Sequence, residues 1–407
     1  MAKHSIYHII TIWFLLTQTL SPFNILFPFN PSVHYAVFDV ATIILFPDLL
    51  TRRSILALVV YTIVAYFFHL SGNAFFDTIA TVVVPFLMML SGLLIAEYAL
   101  KYDRKYQFTR IVIYVVVIAN LFMIMISIPQ VMVTPNIIRP SVQEFVFGVR
   151  EQYWIIKYST CHGLAYLFAP LIFLCRRSFR KNKVFFLFWV LVSLFLFFIV
   201  FLSNATMPLL ISMLMIVLGL IYNNERFTTK SIRGLIITVL LSVFLFQPSV
   251  SIPIINTMQS MMDKNSNNYR KMEEMKYSII HEDSEGDMER REELYNTSTK
   301  LFIESPITGT STPQLISRHS WFVDRLACFG LLCFIPVIFL FVFHIKDTYR
   351  QFRHTKVVYS IGVIGFLLML FMKNEFGAGS WLYGFALLPL LCRYIDYSIE
   401  QKFIKKI

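Results

Sequence analysis

The sequence predicts an all-α protein that crosses a membrane about twelve times, and three observations carry that expectation. The 407 residues are 57% hydrophobic and 16% aromatic, with a mean hydropathy of +0.65, more apolar than a water-soluble domain can be without exposing large sticky patches. Apolar runs long enough to cross about 30 Å of hydrocarbon as a helix recur along the whole chain. Basic residues collect in every second connection between those runs.

The runs fall near residues 6–28, 33–50, 54–70, 75–99, 108–132, 159–175, 184–203, 206–222, 234–253, 320–343, 357–372 and 380–397. Lys and Arg cluster at Arg52 and Arg53, Lys101 to Arg110, Arg176 to Lys183, Arg226 to Arg233, Lys346 to Lys356 and Lys402 to Lys406. Short basic loops stay in the cytoplasm, so both termini are expected there in a single multi-pass membrane domain covering 1–407. The net charge of +12 then reflects that loop bias and implies no nucleic-acid partner. The turn at Ser203 to Pro208 is so short that one long broken helix is the alternative to two spans. The first run is long and lacks a small-residue cleavage site, which reads as an uncleaved helix. Cys161, Cys175, Cys328, Cys333 and Cys392 show no paired spacing, so neither a disulfide framework nor a metal site is expected.

Two outer connections exceed the needs of a turn, and function concentrates on such loops. The smaller, 133–158, carries Arg139, Glu144, Arg150, Glu151 and Lys157 among Phe145, Phe147, Tyr153 and Trp154. Its aromatics suit interfacial anchoring, whereas Arg150 runs against the positive-inside trend and has a planar fork suited to phosphate. The larger, 254–319, opens with a charged stretch, Asp263 to Asp287, expected to act as a mobile flap. Met288, Arg291, Leu294, Tyr295, Ser298, Leu301 and Phe302 then recur at spacings of three and four, the mark of an amphipathic surface helix. Pro306 ends it, and Gly309 with Pro313 turns the chain back toward the membrane. Arg318 and His319 follow at the mouth of the next apolar run, with Asp324 and Arg325 inside it. Charge at that depth is costly and marks a site or a local ion pair. Asp39, in the second run, is expected to face the bundle interior, to bind substrate or a neighbouring helix.

The segments Arg291 to Gly309 (REELYNTSTKLFIESPITG) and Arg318 to Gly330 (RHSWFVDRLACFG) together resemble the outer loop of bacterial O-antigen polymerases and O-antigen ligases. Arg291, Tyr295, Pro306 and Gly309 match the polymerase pattern ahead of the histidine. His319, Ser320 and, nine residues on, Gly330 are similar to the ligase signature. Two departures stand out: Cys333 replaces the Gly, Thr or Tyr of that signature, and Asn204 with Ala205 stand where many members carry an Arg.

What the resemblance implies is a GT-C-like membrane glycosyltransferase of the bacterial inner membrane, without metal or cofactor. Its substrates would be undecaprenyl-diphosphate-linked glycans as donor and acceptor, used to build O-antigen, capsule or exopolysaccharide. The lipid bilayer, a chain-length regulator and a flippase are the further partners to be expected. His319 would act as general base on the acceptor hydroxyl, and Arg150 and Arg291 would hold the diphosphate. Arg290 is the rival of Arg291 and Arg139 the rival of Arg150, while Arg318, Tyr295 and Asp324 would line the substrate. An O-antigen ligase handing glycan to lipid A core is the alternative of the same chemistry. A transporter or flippase of lipid-linked sugars is the alternative of another class, although the chain shows little of the internal repetition such folds carry.

Overall fold

Apolar sequence without a hydrogen-bonding solvent leaves the backbone to satisfy itself, and helix is the form that does so within one segment. A computed structural model of the chain describes residues 2–20, 22–23, 31–70, 78–133, 137–138, 155–179, 182–203, 205–222, 248–260, 262, 264, 267–281, 287–310, 316, 320–372 and 378–404. Among the described residues all regular structure is helical. The elements are α1 (Ala2–Thr19), α2 (Pro31–Leu45), α3 (Arg53–Leu70), a π turn (Ile79–Val83) running into α4 (Val84–Tyr102), α5 (Gln107–Val133), α6 (Tyr158–Ala165), α7 (Phe168–Phe179), α8 (Lys183–Leu202) and α9 (Thr206–Ile221). The outer-loop helices α10 (Pro248–Ser260), α11 (Asn267–His281) and α12 (Asp287–Glu304) follow. The chain closes with α13 (Trp321–Gln351), α14 (Lys356–Met372), α15 (Ala378–Leu382), a second π turn (Tyr383–Leu387) and α16 (Leu388–Ile404).

Among the described residues four helices are long and apolar enough to cross a membrane: Thr81–Tyr102, Gln107–Val133, Lys183–Leu202 and Trp321–Gln351. The pair α6 and α7, bent by 58°, makes a fifth if taken as one span. Ser32–Leu45, Arg53–His69, Met207–Ile221 and Lys356–Met372 are apolar but shorter. The apolar run predicted at 234–253 lies largely outside the described residues. At Ser203 the chain makes two helices and a tight turn: the Ser203 side chain accepts from the Ala205 amide at 3.3 Å and α9 starts at Thr206.

Helix α15, its π turn and α16 form the centre of the bundle, packing against α4, α5, α6, α7 and α14. Trp381, Leu382, Tyr383, Phe385, Leu387, Leu388 and Cys392 are all at most 1% exposed, which is why this last run is apolar all round. Polar groups in that central layer are partnered: the Tyr383 hydroxyl donates to the Asn120 amide oxygen at 2.9 Å. By contrast α8 turns Val184, Leu187, Leu191 and Leu194 outward, a lipid-facing surface.

Among the described residues, the connections near Arg52, Asp103 and Arg353 gather at one end of the bundle, held by charge and caps. Arg52 pairs with Glu97 at 3.1 Å, Ser54 donates to the same carboxylate, and Lys101 and Tyr102 both bond Asp48. Asp103 accepts from the amides of Phe108 and Thr109, capping α5, while Arg393 donates to the Asp103 carbonyl at 2.6 Å. Asp396 accepts from the amides of Arg353 (2.7 Å) and His354 (3.1 Å). Those bonds tie the α13–α14 turn to α16. Asp396→Ala would leave two amides without that acceptor and lower stability by about 1–3 kcal/mol, read as a drop in the melting temperature of the detergent-purified protein, while Asp396→Asn loses less.

Candidate functional site

At the opposite end of the bundle, α12 lies across the start of α13. Tyr295 reaches from α12 to the end of α14, its hydroxyl donating to the Phe371 carbonyl at 3.3 Å. Three residues on, Ser298 is fully buried and donates to Asp324 Oδ1 at 2.7 Å. The other carboxylate oxygen of Asp324 accepts from the Ser320 amide at 3.0 Å, and Ser320 Oγ accepts in turn from the Val323 amide at 3.3 Å. Ser320 is thus the N-cap of α13, and Asp324 is the joint between that cap and α12. An N-cap of this kind contributes about 1 kcal/mol. A buried carboxylate is tolerated because its oxygens are occupied by donors.

Below this joint α13 is broken. Gly330 has φ 64° and ψ −170°, outside the helical region, a conformation open in practice to glycine alone. A break at this depth frees backbone groups that lipid cannot satisfy. Here the return loop after α12 satisfies them: Leu331 donates its amide to the Pro306 carbonyl (2.9 Å) and Leu332 to the Ile307 carbonyl (3.2 Å), while Thr310 donates to the Ala327 carbonyl (2.9 Å). Gly309, with φ 69°, lies against the Cys328 carbonyl group, and a Cβ on Gly330 would overlap the backbone of Ile307. The two positive-φ glycines are therefore two halves of one backbone lock. They fix the outer loop to the membrane helix. Trp321, just inside the cap, packs edge-on against Trp381 of α15 with ring centroids 5.1 Å apart, seating the first half of α13 on the central helix.

The residues just before α6 lie beside the ends of α5 and α1. Ile156 donates its amide to Ser127 Oγ on α5 at 2.9 Å, and Lys157, partly buried, donates to the Thr17 carbonyl at the end of α1 at 3.4 Å. Burial pushes the Lys157 ammonium down to about 8. Ser380 donates to the Ser159 carbonyl at 3.2 Å, so α15 is braced against the start of α6.

Arg139, Arg150, Arg318 and His319 lie outside the described residues. Arg290 and Arg291 sit on the backbone of α12. Tyr295 and Asp324 are brought together by the packing of α12 on α13, and both are engaged with protein partners. Asp39 is buried between α2 and α4, where Ser91 donates to it at 2.6 Å. Sequence reasoning missed the Ser298–Asp324 joint. The signal was present as a serine on the predicted inner face of the amphipathic helix and an acid four residues after a serine cap.

Residues 191–326 match the family model described as O-antigen ligase. Over that stretch the chain is similar to the O-antigen ligase family, in keeping with its resemblance to O-antigen polymerases and ligases. The matched segment covers a third of the chain, from within α8 to the second turn of α13, and so contains Arg291, Ser298, His319 and Asp324 but neither Arg150 nor Gly330. No curated protein matches the chain.

The lock and the joint give separable expectations. Gly330→Ala and Gly309→Ala each force a Cβ into backbone and should abolish the folded, monodisperse protein or lower its melting temperature sharply. Ser298→Ala should cost about 1 kcal/mol and Asp324→Ala more, because the Ser320 amide then lacks its acceptor; thermal melts of the four variants in one detergent check the order.

Proposed function

We propose that the chain is a polymerase of lipid-linked glycans. It joins undecaprenyl-diphosphate-linked oligosaccharide repeats into O-antigen, capsule or exopolysaccharide on the outer face of the bacterial inner membrane, with both termini cytoplasmic. The observation that carries this reading is the bridge from Ser298 through Asp324 to Ser320. It fixes the helix bearing Arg291 against the residue that follows His319. Along α12 the spacing from Arg291 to Ser298 is about 10 Å, a span that a sugar diphosphate and an attacking sugar hydroxyl bridge.

In this reading the acceptor hydroxyl attacks the anomeric carbon of the donor glycan. The new glycosidic C–O bond forms as the bond from that carbon to the diphosphate oxygen breaks. His319 takes the hydroxyl proton. The diphosphate leaves with the electron pair and its growing charge is held by Arg291 and Arg150, whose planar forks match phosphate oxygens. A single displacement inverts the configuration at the carbon attacked. Tyr295 and Asp324 serve this site by holding α12 in register, and Arg290, Arg318 and Arg139 remain the alternative cations.

The family description favours a second reading with the same chemistry, an O-antigen ligase that passes finished glycan to lipid A core. Loss of a polymerase leaves single repeats on core; loss of a ligase leaves long glycan on the carrier lipid. The expected outcome for a deletion strain is the single-repeat pattern. His319→Ala, expressed at normal level, should fail to restore the ladder, with a rate loss of roughly 10²–10⁴, and Arg291→Ala should lose roughly 10²–10³. A full ladder from both variants would refute the site, and retention of anomeric configuration in the linkage would refute direct displacement.

A further inference from the structure

We infer that Arg325, one turn inside α13, is a ligand of the lipid-borne diphosphate, so that the donor headgroup is held between α13 and the π turn Ile79–Val83. This rests on the reading of the chain as an enzyme of lipid-linked glycans. Arg325 follows Asp324 in sequence, yet that carboxylate is turned to Ser298 and Ser320. Among the described residues Arg325 makes no ion pair. Its guanidinium stands 5.5 Å from the centroid of the Phe329 ring, and one N–H donates to the Thr81 carbonyl in the π turn at 3.4 Å. A guanidinium has five N–H donors, and the residue is only partly buried, so most of that fork remains open.

A cation at this depth without a counter-ion among the described residues is costly, and depth argues for a lipid-borne one. The headgroup zone of a bilayer is roughly 5–7 Å deep on each side. Setting the Ser320 cap at its outer edge puts the Arg325 backbone, about 7–8 Å down the helix axis, at its inner boundary, from which a helical side chain directed toward the N-terminus reaches back to the level of lipid phosphates. The setting favours a phosphate ester over a carboxylate: a planar fork held edge-on by one carbonyl, floored by Phe329, with the His69 ring 6.2 Å from Phe329 on the α3 side. A π turn, the wide helical form that recurs at functional sites, supplies the carbonyl that orients it. A phosphate at this level belongs to the carrier diphosphate or to an ordinary phospholipid, and affinity separates the two.

The test measures binding of undecaprenyl diphosphate, and separately of phosphatidylglycerol, to the full-length protein in detergent by native mass spectrometry, for wild type, Arg325→Gln, Arg325→Lys and Asp77→Asn. Asp77 lies outside the described residues and is the acid nearest the π turn along the sequence. The expected result is a loss of about tenfold or more in diphosphate affinity for Arg325→Gln, a several-fold loss for Arg325→Lys, and no change for Asp77→Asn, with phosphatidylglycerol binding equal throughout. Should Arg325→Gln not purify as a monodisperse protein, the several-fold loss in Arg325→Lys decides. Undiminished diphosphate binding by the Arg325 variants overturns the inference and leaves the enzymatic reading intact. An equal loss of phosphatidylglycerol makes Arg325 a general headgroup anchor, and an equal loss in Asp77→Asn makes it half of an ion pair; either overturns it. Wild type that binds no diphosphate at all overturns the reading on which the inference rests.

Discussion

Backbone polar groups below the membrane surface need partners, and at Gly330 those partners come from outside the bundle. The break in α13 frees amides and carbonyls that a continuous helix would bond to one another, and Pro306, Ile307 and Thr310 of the return loop receive them. The arrangement is mutual. The loop is ordered by the helix it mends, and the helix can be broken because the loop is there. From this lock follow the position of α12, the seating of Ser298 on Asp324, and the start of a new helical segment capped by Ser320. The same lock fixes the backbone of α12 against the Ser320 cap.

The two ends of the bundle use charge differently. At the basic end, carboxylates answer the cations: Glu97 takes Arg52, Asp48 takes Lys101, and Asp396 and Asp103 cap backbone amides. Such clamps stabilise turns and orient helices. At the opposite end, among the described residues, Asp324 is engaged by Ser298 and Ser320, and Arg325 by a carbonyl and an aromatic ring. The central helix between the two ends contributes rigidity, with Trp381 and Tyr383 wedged among residues of α13, α5 and α6.

The helical character of the chain was legible because length and hydropathy govern whether a segment survives in lipid, and the apolar runs 33–50, 108–132 and 184–203 coincide with α2, α5 and α8. Hydropathy does not register breaks such as the 58° bend between α6 and α7, and among the described residues four helices reach full spanning length. The amphipathic helix from Met288 to Phe302 was legible from its period, and its stop at Pro306 from the missing amide. The backbone lock was not. Gly309 and Gly330 are visible as glycines, but their pairing depends on a contact between segments twenty residues apart, which no local pattern encodes. Asp324 was read as lining the substrate because a buried charge usually marks a site; the packing adds that it accepts from Ser298 and from the Ser320 amide, which no local pattern encodes.

The measurement that tests this account most directly is an oxidative cross-link between Ser298→Cys and Asp324→Cys, in a background where the five native cysteines, all buried and unpaired, are replaced by serine or alanine. A joint with Ser298 and Asp324 in hydrogen-bond contact predicts efficient intramolecular disulfide formation, seen by peptide mapping of the purified membrane protein. A protein that folds with both thiols intact under oxidation, and whose thiols react separately with maleimide, would contradict the docking of α12 on the broken helix.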